Sequence, residues 1–472
     1  MAKQVTLTPL DEVGAGSAVT PVEQAVVPVP AEPAPVQSAV PAEPAPAQPQ
    51  PAPENGNGAA AKSAADTQAL QNAILAGNIP QIVMYGITLA LDMGASDIHI
   101  EPEERTVRIR LRIDGVLRLI VEYPTNIHPA VVSRVKIMSS LKIDEQRVPQ
   151  DGRTQVTTDD GRSIDLRVST LPTVNGEKIV MRLQDKTKTI PDLPDLGLRG
   201  TSLEIMESFT ELPNGIILVT GPTGSGKTNT LYSVLHRLNQ EGVNIMTFED
   251  PVEYQMDGLN QSQVRPDIEY DFSMGLRTAL RQDPDIIMVG EIRDQETIEI
   301  AIRAALTGHL VLSTIHTNSA VSTLTRITDM GVKPFLITSS IRGIISQRLV
   351  RRVCEYCKEE YAADPKLSEE IKKELADISE KDLDPALIKG DVTLYRGKGC
   401  EKCNHLGYKG RVAVFEILNM NRDVGELVLN SAPDAELEDA AKKSGMISLK
   451  QDGYIKALQG LTTAEEVFRI AH

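Results

Sequence analysis

The stretch IILVTGPTGSGKT, residues 216–228, decides the fold of this chain. An apolar run typical of a buried strand leads into a glycine-rich loop, and a helical stretch follows the final lysine and threonine. The pattern G-x-x-x-x-G-K-[ST] between a strand and a helix is typical of a phosphate-binding loop. Its four fixed positions arise by chance in only about 1–2% of chains this long. The sequence therefore predicts a nucleotide-binding α/β core rather than the alternative, a glycine turn beside a surface lysine.

Each residue type in this loop has a predicted contact with a nucleotide. Glycines let backbone N–H groups curl around phosphates, and the N-terminus of the helix adds positive potential. Lys227 is expected to reach the β- and γ-phosphates of ATP, and the Thr228 hydroxyl to ligate Mg²⁺. The predicted nucleotide-binding residues of the loop are Gly221, Pro222, Thr223, Gly224, Ser225, Gly226, Lys227 and Thr228.

Two acidic residues stand at the ends of later apolar strands. In DPDIIMVGEIRD, residues 283–294, the strand ends at Glu291. We expect this strand to neighbour the P-loop strand, so that Glu291 holds the waters of the metal. In TFEDPVEYQ, residues 247–255, the strand ends at Glu249, which is then free to orient and deprotonate the attacking water.

The alternative for Glu249 is a carboxylate that only fixes the turn before the following proline. We predict that turn role for Asp250 and Glu253, the other acids of the same stretch. A further strand, in GHLVLSTIHTN, ends at His316, which could hydrogen-bond the γ-phosphate region, and His309, on the loop before this strand, is a candidate cofactor-binding residue. Because parallel strands end at one edge of a sheet, these strand ends are predicted to form one site.

Composition restricts the function and the compartment. The chain has 472 residues and a formal net charge of −16, which disfavours nucleic acid as a partner of the whole protein. We find no run of 18 apolar residues and no signal-peptide pattern, and we therefore expect a cytoplasmic protein. The length predicts about three folded units.

Changes in composition divide the chain into six predicted segments. A Pro/Ala-rich stretch cannot bury enough apolar surface to fold and is expected to be disordered. The segments are a disordered tail at 1–66, a small α/β domain at 67–183, a linker at 184–197, an ATPase core at 198–350, a cysteine-bearing lobe at 351–416 and a helical segment at 417–472.

Alternating residues mark a strand in the small α/β domain. In TVRIRLRIDG, residues 106–115, aliphatic side chains alternate with three arginines, and Asp-Gly predicts a hairpin turn. The arginines form either a solvated strand face or a functional basic face. The strands SIDLRVSTL, residues 163–171, and EKIVMRL, residues 177–183, are predicted to follow.

All four cysteines lie in two C-x-x-C pairs, Cys354 with Cys357 and Cys400 with Cys403. In a reducing compartment this pattern favours a metal over disulfides, and four thiolates suit a structural Zn²⁺. The alternative is four free thiols. The 42 residues between the pairs predict a lobe of its own rather than a compact zinc ribbon.

Taken together, these motifs resemble the secretion ATPase family that powers type II secretion and type IV pilus assembly. The segments GPTGSGKT, TFEDPVEYQ, LRQDPDIIMVGEIRD and GHLVLSTIHTN look like its Walker A, Asp, Walker B and His boxes. The resemblance runs from about residue 67 to the end. It implies an α/β fold with a PAS-like N-terminal domain, a flexible linker, a RecA-like P-loop core with a four-cysteine zinc lobe, and a helical tail.

The resemblance also assigns site residues and partners. It implies that Glu249 is the catalytic glutamate and Glu291 the Walker B acid, and that two pairs of arginines belong to the site. The first pair, in the N-terminal domain, approaches the phosphates, and the second precedes Walker B. These arginines are Arg167 and Arg182, and then Arg277 and Arg281.

The implied assembly is a homohexamer with ATP between protomers, at the cytoplasmic face of the inner membrane. Membrane association would come through partners such as the inner-membrane platform protein. Many members carry a folded docking domain where this chain has its Pro/Ala-rich tail, so the tail is either a plain disordered end or a tethered docking peptide. The zinc lobe favours an assembly or secretion motor over a retraction motor.

Two other classes of function remain as alternatives. A nucleic-acid translocase would share the RecA-like ring, but the charge and the motifs disfavour it. A scaffold subunit with an inactive nucleotide site is disfavoured by the intact Lys227, Thr228, Glu249 and Glu291.

Overall fold

The structure, a computed structural model, describes residues 58–158, 161–185 and 189–470. Most of the predicted disordered tail, residues 1–57, lies outside the described residues. Helix α1 begins at Gly58, inside the segment that the sequence analysis assigns to the tail.

An antiparallel sheet forms the first part of the described chain. Its strand order is β3-β2-β1-β6-β5-β4, and the helices pack with the strands into one apolar core. The elements are α1 (Gly58–Leu75), α2 (Ile79–Asp92), β1 (Ala95–Pro102), β2 (Thr106–Ile113), β3 (Val116–Pro124), α3 (His128–Met138), β4 (Gln150–Thr157), β5 (Ser163–Thr173) and β6 (Gly176–Asp185).

Strand β2 confirms the predicted alternation. Its aliphatic side chains are buried in the core, and its arginines stand on the other face. Arg108 pairs with Glu103 at 2.7 Å and with Glu122 at 3.0 Å, and Arg110 donates to Glu101 at 2.5 Å. The Asp-Gly turn is confirmed too, since both residues have positive φ angles. Most of this basic face is therefore a network of ion pairs.

A buried ion pair fixes helix α3 against strand β6. The ammonium of Lys136 is fully buried and donates to Glu177 Oε2 at 2.8 Å and to the Glu145 carbonyl at 2.8 Å. Removing one partner of such a pair leaves an uncompensated charge in the core.

A mostly parallel sheet of seven strands follows, in the order β15-β12-β7-β11-β10-β8-β9. Its elements up to the cysteines are α4 (Gly200–Thr210), β7 (Gly215–Thr220), α5 (Lys227–Leu238), β8 (Ile245–Glu249), β9 (Leu259–Gln263), α6 (Phe272–Ala279), β10 (Ile286–Val289), α7 (Gln295–Leu306), β11 (Leu310–Ile315), α8 (Ala320–Asp329), α9 (Pro334–Ser340) and β12 (Ile341–Val353).

The strand order corrects one expectation from the sequence. Strand β10, which leads to Glu291, does not neighbour the P-loop strand β7, because β11 lies between them and is parallel to both. The site is still built at one edge, since all these strands run in the same direction.

The described part of the predicted linker is packed rather than free. A short 3-10 turn, Leu193–Leu196, follows Asp192, and the side chain of Asp192 caps the start of this turn. Leu193 is fully buried in the core beneath β7 and α5, and Ser233 of α5 donates to the carbonyl of Pro191 at 2.6 Å.

The cysteine-bearing segment and the helical tail complete the fold. They contain β13 (Lys358–Ala362), α10 (Pro365–Glu374), β14 (Thr393–Gly397), β15 (Tyr408–Asn419), α11 (Arg422–Leu429), α12 (Asp434–Lys443), α13 (Leu449–Leu458) and α14 (Ala464–Ile470). Strands β12 and β15 pair antiparallel and cross the predicted segment boundaries at 350/351 and 416/417. The predicted mixed α/β fold with a helical C-terminal tail is confirmed.

A search of the described ranges for membrane-spanning helices found none that combines the length and the apolar character needed to cross a bilayer.

Lys136→Met should loosen the first sheet, because it leaves Glu177 buried without its cation. We expect the local free energy of opening to fall by about 3–5 kcal/mol, measured by hydrogen exchange of peptides from β5 and β6. The double variant Lys136→Met with Glu177→Gln should recover part of the loss, and peptides from β7 should not change. Unaltered exchange in β6 of the single variant would show that the pair contributes nothing.

Candidate functional site

The phosphate loop has a backbone that requires glycine at two positions pressed against β12. Gly221 and Gly226 have φ angles of 143° and 93°. A Cβ at Gly221 would lie 2.5 Å from the carbonyl oxygen of Gln347, and one at Gly226 would lie 2.7 Å from the Gln347 amide nitrogen. Strand β12 therefore forms a wall that fixes the shape of the loop.

Two side chains of the loop are suited to bind an anion. Lys227 donates to the carbonyls of Gly221 at 2.8 Å and Pro222 at 3.3 Å, so it lies along the loop. Burial lowers the pKa of Lys227, and nearby Glu291 opposes that shift. Within the described part of the chain, the buried hydroxyl of Ser225 has no hydrogen-bond partner. An ammonium and an unpaired hydroxyl beside a helix N-terminus fit a phosphate. Thr228, the predicted Mg²⁺ ligand, is exposed at the start of α5.

Glu249 is buried at the end of β8, where three donors hold its carboxylate. Its side chain is satisfied by the hydroxyl of Tyr232 at 2.5 Å, the hydroxyl of Thr247 at 2.7 Å and the amide of Gln261 at 3.2 Å. Burial and the adjacent carboxylate raise the pKa of Tyr232, which keeps its hydroxyl a donor.

Glu291 has a more open environment, next to the P-loop lysine. Its carboxylate is hydrogen-bonded by Arg293, and the Nε2 atom of His316 lies 3.4 Å from its other oxygen. His316 is half-exposed, on the end of β11. The structure thus brings Lys227, Glu291 and His316 to one edge of the sheet.

Two side chains of the first sheet donate hydrogen bonds to one carboxylate of the loop after β8. Arg167 of β5 donates to Glu253 at 3.1 Å, and Gln184 of β6 donates to the same carboxylate. The sequence analysis expects Glu253 to fix its own turn. Its side chain instead reaches across to the first sheet. Arg182 instead donates to Asp97 at 3.0 Å.

Three predicted site residues have contacts outside this group. His309 precedes β11 at the opposite end of the strand, and its Nδ1 lies 2.8 Å from the carbonyl of Ala304. Six residues of strand separate it from His316, which is about 20 Å. Arg277 is half-exposed and pairs with Glu296, and Arg281 donates to the carbonyl of Arg277 at 3.1 Å.

A cavity of about 300 Å³ opens beside α5. It lies on the side of the helix that faces the segment after the first sheet. Its lining residues are Thr189, Ile190, Pro191, Asn229, Tyr232 and Tyr254.

The four cysteines form one cluster, as predicted. Their Sγ atoms all lie within 4.8 Å of one another, and the closest pairs are separated by 3.7 Å to 3.9 Å. Sulfurs at about 2.3 Å from a tetrahedral Zn²⁺ stand roughly 3.8 Å apart. Burial acts to raise the pKa of Cys403, but N–H groups of Cys400 and Gly407 that point at its sulfur lower it to about 6. The donor set fits a structural zinc ion.

Comparison with known proteins identifies the family. A family model described as "Type II/IV secretion system protein" matches residues 74–469. The chain belongs to this family.

Curated relatives within the secretion-system family carry names from two machines. The type II secretion system ATPase E of Vibrio cholerae is 48% identical over 381 residues, which cover 81% of this chain and 73% of that protein. The type IV pilus assembly ATPase PilB of Thermus thermophilus is 49% identical over 373 residues, which cover 79% of this chain and 41% of that protein.

Solved structures of ATPases have the same fold. The pilus retraction motor PilT with bound ADP is 28% identical, with a TM-score of 0.53 over 81% of this chain and 95% of that chain. The ATPase DotB of Legionella pneumophila is 22% identical, with a TM-score of 0.59 over 83% of this chain and 95% of that chain, a likeness of fold alone.

Sequence reasoning missed three residues around the site of this secretion-system protein. Tyr232 links α5 to Glu249, Gln347 accepts from Thr230 at 2.7 Å behind the loop, and Arg348 donates to the Asn318 carbonyl at 2.7 Å close to Lys227. The signal for Gln347 and Arg348 was weak, because β12 also carries the polar residues Arg342 and Ser346.

Tyr232→Phe should weaken the packing of β8 on α5, because Glu249 loses one of its donors while the ring remains. We expect the local free energy of opening to fall by about 1.5–3 kcal/mol, measured by hydrogen exchange of peptides from α5 and β8 without nucleotide. Tyr270→Phe is a matched control, since within the described residues the Tyr270 hydroxyl pairs only with the Ser262 hydroxyl, at 2.6 Å. Equal effects of the two substitutions would mean that the carboxylate adds nothing.

Proposed function

We propose that this chain is the ATPase of a type II secretion or type IV pilus machine, and that it couples ATP hydrolysis to assembly of a pilus or pseudopilus. The observation that carries the proposal is the convergence of Lys227, Glu291 and His316 beside the phosphate loop, in a chain of the secretion-system family. The identities of 48% to a secretion ATPase and 49% to a pilus ATPase favour neither machine over the other.

The phosphate loop would hold the β- and γ-phosphates through its backbone N–H groups and Lys227. Thr228 would ligate Mg²⁺, which neutralises charge on the phosphates when bound. Glu291 would hold the waters of the metal, and His316, within reach of Glu291, would contact the γ-phosphate region. This division follows from Glu291 lying beside Lys227 at the open edge of the sheet.

Glu249 is proposed as the general base. An ionised carboxylate has about four lone-pair sites, and three donors occupy those of Glu249 in this structure. The remaining site can accept a hydrogen bond from one water. Because the other three directions are fixed by Tyr232, Thr247 and Gln261, that water would be held in a single orientation.

The cavity of about 300 Å³ beside α5 is proposed to hold the purine base. One of its lining residues, Asn229, lies two residues after Lys227 in α5, and its amide would provide specificity. Tyr254 and Ile190 offer aromatic and aliphatic surface for the base. Such a mixture of apolar walls and few polar groups is typical of small-molecule sites.

The arginines are proposed to complete the site in two ways. Arg167 and Arg182 stand on the first sheet near the loop that carries Glu253, and would stabilise charge on the phosphates. Arg277 is exposed on α6 and Arg281 is exposed just after that helix, and we propose that they serve the site of a neighbouring protomer in a homohexamer with ATP between subunits.

The four cysteines are proposed to bind one structural Zn²⁺, which would tie the end of β12 to the start of β15. For location, we propose the cytoplasmic face of the inner membrane, with the platform protein of the machine as partner. A nucleic-acid translocase is not favoured by any observation, and the net charge of −16 argues against it.

The two carboxylates should separate in a nucleotide assay. Glu249→Gln should bind ATP but hydrolyse it about 10²–10⁴-fold more slowly, because only the base is lost. Lys227→Ala, the control for the site itself, should lose hydrolysis and most of the binding. Steady-state turnover and equilibrium binding of a fluorescent ATP analogue measure the two effects. Near-normal turnover by Glu249→Gln, together with an inactive Glu291→Gln, would reverse the assigned roles.

Zinc removal should affect structure rather than chemistry. We expect one zinc per chain by elemental mass spectrometry in wild type, and less metal and lower solubility in Cys400→Ser, whose remaining folded fraction still binds nucleotide. His405→Ala is the matched control, since this histidine follows the second pair but does not belong to the cluster. Carefully purified wild type without zinc would contradict the assignment.

A further inference from the structure

A row of three arginines crosses one face of the first sheet. In the strand register, Arg153 of β4 lies directly opposite Arg167 of β5, and Arg167 lies directly opposite Arg182 of β6. Residues directly opposite each other on antiparallel strands project from the same face, with Cβ atoms about 5 Å apart. Three guanidinium groups therefore stand side by side, an arrangement that destabilises a sheet unless anions lie among the charges.

Only part of this row is neutralised by the protein. Arg182 forms an ion pair with Asp97 at 3.0 Å, and Arg167 forms one with Glu253 at 3.1 Å. Throughout the described ranges, no carboxylate lies within ion-pairing distance of Arg153, whose side chain is exposed. Burial is the main cause that lowers the pKa of Arg167. The carboxylate of Glu253 opposes this shift, and the neighbouring charges of Arg153 and Arg182 add to it.

A cavity of about 560 Å³ lies against the row. All three arginines line it, together with the hydroxyl-bearing Ser169 and two acids, Asp97 and Asp151. Asp97 is already engaged by Arg182 and lies 3.8 Å from Arg112, while Asp151 is exposed on the same strand as Arg153. Among the three arginines, only Arg153 has no carboxylate partner in the described chain, while Asp151, two residues before it, adds a negative charge to the same cavity.

The row is connected to the hydrolysis site by a short chain of contacts. Glu253, which accepts from Arg167, has its backbone N–H 3.3 Å from the hydroxyl of Tyr232. The same hydroxyl donates to Glu249 at 2.5 Å. The arginines thus lie next to the loop that carries the proposed base.

We propose that Arg153 is the third member of a phosphate-binding row and contacts the terminal phosphate of bound ATP. The inference rests on the proposed function and extends it to a residue to which the sequence analysis assigns no role. Planar guanidinium groups match the oxygens of a phosphate through paired N–H donors. A terminal phosphate brings the anion that the row lacks, and it would replace Glu253 as the partner of Arg167.

The full-length Arg153→Gln variant gives the test. Without nucleotide, removal of one like charge should raise the unfolding temperature slightly, by about 1–2 °C. Stabilisation by ATPγS should shrink, while stabilisation by ADP, which lacks the terminal phosphate, should stay as in wild type. The turnover number should fall about tenfold or more. A purely structural role predicts the opposite sign for the nucleotide-free protein and an equal loss with both nucleotides.

Two further variants keep the result interpretable. Arg153→Lys should retain part of the ATPγS effect, because it keeps the charge but not the paired donors. Arg108→Gln is the matched control, an arginine on the same face that is held by Glu103 and Glu122. Unchanged turnover and unchanged ATPγS stabilisation in Arg153→Gln would overturn the inference. If wild type itself shows no Lys227-dependent hydrolysis, the proposed function fails, and the ATPγS comparison still decides whether Arg153 binds a terminal phosphate.

Discussion

The hydrogen-bonded ladder of four parallel strands, β7, β11, β10 and β8, is the constraint on which the rest of the structure depends. Each strand is paired in register with the next over four to six residues, and each is wholly or largely buried. Because the strands cannot slide without moving every side chain to the wrong face, their carboxyl ends are fixed relative to one another. Polar residues placed just after those ends are therefore held in a constant arrangement by an apolar core.

The loop after β8 converts this arrangement into a connection between the two sheets. Glu249 faces inward to Tyr232, and Glu253, four residues later, faces outward to Arg167 of the first sheet. The hydroxyl of Tyr232 contacts both ends of the loop, through the Glu249 carboxylate and the Glu253 backbone N–H. One tyrosine thus couples the position of the proposed base to that of an arginine on another sheet.

Local patterns in the sequence were enough to predict the strands and loops that form the site. They did not predict which of these strands lie next to each other in the sheet. The P-loop, the alternation in β2 and the paired cysteines each depend on residues close together in the chain. The insertion of β11 between β7 and β10 depends on the path of the crossovers, and a buried apolar strand looks the same in either position. Likewise, the contact of Tyr232 with Glu249 and the placement of Arg153 opposite Arg167 depend on the rotation of a helix and the register of strands, which the sequence analysis did not predict. The distant placement of His309 has the same origin, since only the strand direction reveals which end faces the site.

The pairing of β12 with β15 has a mechanical consequence. Near the middle of β12, Gln347 presses on the phosphate loop, and just after the strand Cys354 begins the cysteine cluster. Between them lie six residues of the two-stranded ribbon that β12 forms with β15, so that Gln347 and Cys354 are separated by roughly 23 Å. Because the two strands are hydrogen-bonded along this length, a shift of β12 beside the phosphate loop would also move the cysteine cluster. A metal held by the four cysteines, as proposed, would close the ribbon at that end and keep its two strands from separating there.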